Sequence, residues 1–173
     1  MLRALSLAHQ HFVAAIQRDT PGTDLPRLVA VLDALLAWSA AHPKQLTFRG
    51  DSRRNDVISF GRAGTTVSMW SAQVTMGEGP KLELFLPPES VMSRESKESI
   101  MATLNAHSRA ELLEGDRLRI SFGALKNPAG REAVFGLMER LLVGHDRPAA
   151  EPASDSTGQA APESSAEPTA MSA

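Results

Sequence analysis

The sequence predicts an α+β protein: helices at both ends of a mainly antiparallel sheet of about five strands. Three observations carry this reading. Apolar residues recur at helical spacing up to Trp38, and the period then switches to alternation between Leu46 and Leu86. A further alternating run, Arg117 to Phe122, leads into a second helical stretch opened by Asn127-Pro128. The turns inside the alternating region are short and polar, which favours hairpins over crossovers.

In residues 1–18, Leu2, Leu5, Phe12 and Ile16 fall near one helical face, and the 19–22 segment with Pro21 breaks the pattern. Thr23 or Asp24 can cap a second helix, with Pro26 tolerated in its first turn. Its stripe is Leu28, Leu32, Leu35 and Leu36, broadened by Val31 and Trp38, and Ala41-His42-Pro43 closes it. The short connection makes the two helices an antiparallel pair.

Leu46 and Phe48 then alternate with Thr47 and Arg49, and residues 56–60 form the next strand. Residues 65–76 alternate again, with Trp70, Val74 and Met76 on one side, which argues for a buried Trp70. Gly77-Glu78-Gly79-Pro80 is a turn, and in 81–86 Leu82, Leu84 and Leu86 share a face. Pro87-Pro88 ends this run. Ser93 can cap a third helix over 94–107 with a thin stripe of Ile100, Met101 and Leu104, and residues 110–113 are read as a further helical turn. Residues 117–122 form the clearest strand, with Leu118, Ile120 and Phe122 inward and Arg117, Arg119 and Ser121 outward. The last helix aligns Val134, Met138 and Leu141, with Phe135 and Leu142 beside them and Gly144 as its stop.

This organisation makes residues 1–146 one α+β domain: a helical pair (1–43), a β-meander (44–86) and a helix–strand–helix unit (87–146). Residues 147–173 contain no Leu, Ile, Val or aromatic residue. Such a segment cannot offset the entropy of ordering, so a disordered tail is expected, dispensable for folding.

Composition narrows the chemistry. The chain has no cysteine, which excludes disulfides, thiolate metal sites and cysteine nucleophiles. No stretch has the length of a membrane span, and the first residues are too polar for a signal-peptide core, so a cytoplasmic protein without a membrane partner is expected. From Arg147 onward one arginine stands against four carboxylates; residues 1–146 therefore carry +1 of the overall −2. A body so nearly neutral lacks the field of a dedicated nucleic-acid binder.

The motifs that invite specific functions fail on context. Arg49-Gly50-Asp51 needs an extracellular loop for adhesion. Gly50-Asp51-Ser52 needs a histidine oriented by a carboxylate, and no histidine follows an aspartate by three residues. A nuclease reading of Asp56 and Glu83 lacks the lysine two places after the glutamate. His9 and His11 point apart on a helix, while His42, His107 and His145 sit at helix ends, where imidazoles meet terminal carbonyls. No metal or cofactor is expected. Glycines 61, 64, 77 and 79 lie in hairpin turns, and none opens a helix as a phosphate cradle would.

What remains is charge. Between Lys44 and Arg62 five basic residues stand against two acidic ones. Arg53 and Arg54, at the tip, can grip phosphate or carboxylate bidentately, with Arg49 and Arg62 beside them as further binding candidates, or the charge simply solvates the turn of a 49–62 hairpin. Arg117 and Arg119 extend the patch if their strand lies beside that hairpin. The expected function is a non-enzymatic binding or adaptor module for an anionic or protein partner. A small enzyme with dispersed residues and a self-associating structural component are the alternatives. The missing acid–base–nucleophile set favours a binding or structural role.

Overall fold

The computed structural model describes residues 2–20, 22, 24–50 and 56–143. Met1, Thr23, Arg53, Arg54, Gly144, His145 and the expected tail 147–173 lie outside the described residues, as does the side chain of Leu2.

Two helices lead, α1 (Leu2–Asp19) and α2 (Leu25–Ala41), followed by strands β1 (Leu46–Phe48), β2 (Val57–Arg62), β3 (Ser68–Thr75) and β4 (Gly79–Phe85). Then come α3 (Arg94–Asn105), β5 (Ala110–Leu113), β6 (Arg117–Ser121), the short α4 (Phe122–Leu125) and α5 (Pro128–Val143). All strand pairs are antiparallel, and the sheet order is β1-β2-β3-β4-β6-β5. After β4 the chain passes through α3 to the far edge and returns as β6.

The helix starts follow from local chemistry. Asp24 precedes α2 without a side-chain cap bond, and proline in the first turn supplies a preset φ instead. Ser93 Oγ accepts the Ser96 N–H at 3.3 Å to start α3, and Asn127 Oδ1 accepts the Ala129 N–H at 3.1 Å to start α5. Gly130 is needed for closeness rather than for its φ. A Cβ there would stand 3.2 Å from the Ala124 carbonyl oxygen, so α5 packs tightly on α4.

The buried alternating positions all belong to one sheet face: Ile58, Phe60, Trp70, Ala72, Leu82, Leu84, Leu118 and Ile120. Phe12 and Ile16 of α1, Leu32 and Leu35 of α2 and Val134 and Met138 of α5 join the same core. Trp70 is fully buried, stacks on Phe60 at 5.0 Å and donates its indole N–H to Ser39 Oγ at 3.0 Å. Among the described residues, every buried side-chain nitrogen and oxygen has a partner.

The sheet has six strands, and three local expectations are corrected. Ala110–Leu113 is the edge strand β5, not a helical turn. Gly115 and Asp116 both take positive φ, at 72° and 59°, which turns the chain back on itself and sets Leu113 opposite Arg117. Met76 does not share the burial of Trp70. Strand β3 ends at Thr75, and Met76 lies 81% exposed in the turn before β4. Pro80 is already in strand, at its start, where a missing N–H is tolerated. Phe122 is buried as expected, but it opens α4 rather than ending β6.

Candidate functional site

With most of the apolar side chains on the helix-covered face, the alternate residues form an open, largely polar face, with Val57, Phe85 and Leu113 as its apolar members. Strand register aligns Ser59, Ser71, Glu83, Arg119 and Glu111 across five strands, and Gln73, Lys81 and Ser121 in the neighbouring row. Most of these side chains are half-buried, as expected for a sheet surface facing solvent.

Glu83 is the exception, with its side chain only 5% exposed. Its Oε1 accepts the Arg119 Nη2 and Nε donors at 2.8 and 3.1 Å and the Gln73 amide at 3.2 Å. Arg117 Nη1 reaches Oε2 at 3.5 Å. Glu83 and Arg119 are direct cross-strand partners, which is why a carboxylate is tolerable at this depth. With both oxygens engaged by cations, this carboxylate anchors the polar face.

The hairpin arginines take a different part. The Arg49 guanidinium lies against Gly61 and donates to the carbonyls of Thr66 at 2.6 Å, Thr65 at 2.5 Å and Arg62 at 3.4 Å. It fastens the β1–β2 hairpin to the turn before β3. Arg62 donates through Nη2 to the Leu141 carbonyl near the end of α5. Arg49 and Arg62 therefore act first as links between elements. Arg117 and Arg119 sit on β6, three strand spacings or roughly 14 Å from β2. The structure thus gathers Arg49 with Arg62 and Arg117 with Arg119, as two groups.

Two of the histidines join or cap helices. His42 Nδ1 lies 2.8 Å from the Trp38 carbonyl at the end of α2. Its Nε2 lies 3.1 Å from Glu139 Oε1, which also accepts the Trp38 indole at 2.8 Å. His9 pairs with Asp33 at 2.9 Å and joins α1 to α2. Among the described residues no three His, Asp or Glu side chains gather as metal ligands. No helix among them is long and apolar enough to cross a membrane.

Two carboxylates away from the polar face are perturbed, Asp19 at the end of α1 and the exposed Glu78. The hydrogen bond from Arg18 at 2.7 Å holds Asp19 below the usual carboxylate range. Lys81 Nζ, at 2.5 Å, does the same for Glu78 in the β3–β4 turn.

Sequence reasoning missed Glu83 as the centre of the polar face, because its partners on β3 and β6 are visible only once strand order is known. It also missed the ion pair of Lys97, on α3, with Asp116 at 2.5 Å. A lysine on the apolar side of a thin helical stripe was the available signal. No protein-family model matches the chain, and no curated protein and no solved structure is significantly similar to it.

Proposed function

We propose that this chain is a non-enzymatic binding or adaptor module of the cytosol that receives a protein partner on the open face of its sheet. Strands β1 and β2 border that face at one edge of the sheet. One observation carries the reading: the core lies on a single face, and the other is a polar surface crossing the strands with its central charge already neutralised. Six strands span roughly 24 Å, and strands of five or six residues run about 20 Å. A patch of that plan fits the small interfaces of transient complexes rather than an obligate one. The absence of cysteine suits a reducing compartment.

A photo-crosslinking residue at Ser71, in the middle of the open face, tests this against the same residue at Glu132, exposed on α5. A discrete protein adduct from position 71 and none from 132 is expected in the native cell extract. Adducts only from 132, or equal labelling from both, would remove the sheet face from consideration. The local excess of positive charge between Lys44 and Arg62 supports a second reading, an anionic partner at the hairpin.

A further inference from the structure

A cleft of about 530 Å³ opens where α3 ends and β6 passes into α4. Its polar lining comes from Asn105, His107, Ser108, Arg109 and Ser121, and no aspartate or glutamate lines it. The state of each polar group decides what can bind. Ser108 is spent, since its hydroxyl donates to the Leu104 carbonyl at 3.0 Å. Asn105 uses its oxygen to accept the Ala110 N–H at 2.8 Å, leaving the side-chain NH₂ to donate. Ser121 Oγ accepts the Gly123 N–H at 3.1 Å and keeps its own hydrogen to give. Arg109 and His107 are exposed, and neither side chain makes a hydrogen bond or ion pair with the described residues.

The free groups are thus all capable of donating, one is permanently cationic, and they line the cleft from both sides of the β5–β6 hairpin. A cation would meet Arg109 with nothing to balance it. The carbonyl end of α3 opposes an anion, but its Leu104 carbonyl is already occupied, accepting the N–H groups of His107 at 3.0 Å and Ser108 at 2.7 Å. We propose that this cleft binds the phosphate group of a small phosphate monoester. The Arg109 fork takes two oxygens, and Asn105, Ser121 and His107 donate to the others. The cleft is larger than a phosphate group needs, which leaves room for the organic part of an ester.

Amide NMR of the full chain, titrated with phenyl phosphate at constant ionic strength, tests the site. Saturable shifts confined to residues 105–110 and 121–124 are expected. Arg109→Ala, at an exposed position whose loss leaves the rest of the spectrum unchanged, should weaken binding about tenfold or more. Arg109→Lys should fall between, because it keeps the charge and loses the fork. Shifts that grow without saturating, or equal affinity in Arg109→Ala, would overturn the site. Inorganic phosphate binding as tightly as phenyl phosphate would overturn the assignment to an ester.

Discussion

Asp116 holds a φ of 59° in the β5–β6 turn, and its carboxylate stands 2.5 Å from the ammonium of Lys97, whose side chain is 3% exposed. The pair ties α3 to the tip of the outer hairpin, and its two ends are not equivalent. Removing Asp116 strands a buried ammonium, whereas removing Lys97 leaves a carboxylate that water already reaches. Asp116→Ala is therefore expected to cost about 3 kcal/mol and Lys97→Met about 1 kcal/mol or less, with the double variant recovering part of the larger loss. Urea unfolding of the three variants measures the order. Equal losses would mean that the ammonium is not dependent on this carboxylate.

Gly61 and Arg49 are coupled through space. A Cβ at position 61 would fall 1.9 Å from Arg49 Nε, displacing the guanidinium from the carbonyls of Thr65 and Thr66. Gly61→Ala should cost about 1–2 kcal/mol in the native background, the worth of those charge-assisted bonds. In an Arg49→Ala background it should be neutral or mildly stabilising, since alanine suits a strand better than glycine. Additive losses in the double-mutant cycle would contradict the contact.

These two relationships mark where sequence reading stops. Periodicity found the major helices and the inner strands, because Leu118, Ile120, Leu82 and Leu84 repeat at the spacing their burial demands. It failed at residues 110–113, where four residues are too few to declare a period and the Gly115-Asp116 turn decides the outcome. It also failed at Met76, because alternation continues on paper beyond the point where the strand ends. Arg117 and Arg119 were legible as outward-facing, but their partner Glu83 depends on which strands become neighbours. That is a long-range fact no local pattern encodes.

The Glu83 cluster predicts a ranking. Arg119→Ala removes the closest cation from a carboxylate only 5% exposed and should cost about 3 kcal/mol. Glu83→Gln removes the buried charge and leaves half-exposed arginines to solvent, for about 1–2 kcal/mol. Arg117→Ala, at 3.5 Å and 42% exposed, should cost well under about 1 kcal/mol. Thermal melts of the three would reject the geometry if Arg117 proved the most costly.

Acid sensitivity follows from Asp19 and Glu78, whose carboxyls are held below their ordinary values by Arg18 and Lys81. A depressed carboxylate contributes stability that is present above its unfolded value, about 4, and lost as pH falls through the folded one. Glu78 is exposed, and Arg18, the partner of Asp19, is 70% exposed, so solvent screens both pairs and the effect is small. The direct reading is NMR titration of the Glu78 carboxyl, which should have a low midpoint in the native chain and a higher one in Lys81→Gln. An unchanged midpoint would separate the two residues.

The hairpin charge gives the last prediction. Arg49 and Arg62 are engaged by backbone carbonyls, so any contact of the 49–62 segment with a polyanion must fall mainly on Arg53 and Arg54. Arg53→Glu with Arg54→Glu should then abolish binding to heparin or single-stranded nucleic acid while shifting stability by no more than about 0.5 kcal/mol. Arg49→Ala should act the other way, lowering stability through its lost carbonyl bonds with little direct effect on the polyanion. Native binding should weaken with salt, with a slope set by the few phosphates that two arginines can neutralise. It should also be indifferent to nucleotide sequence, because such contacts read charge and not base edges. Fluorescence anisotropy at low salt measures all of this. If the native chain binds no polyanion there, or the Arg53/Arg54 reversal binds as well as the native chain, the hairpin's charge serves solubility and the protein partner at the sheet face is left as the reading to pursue.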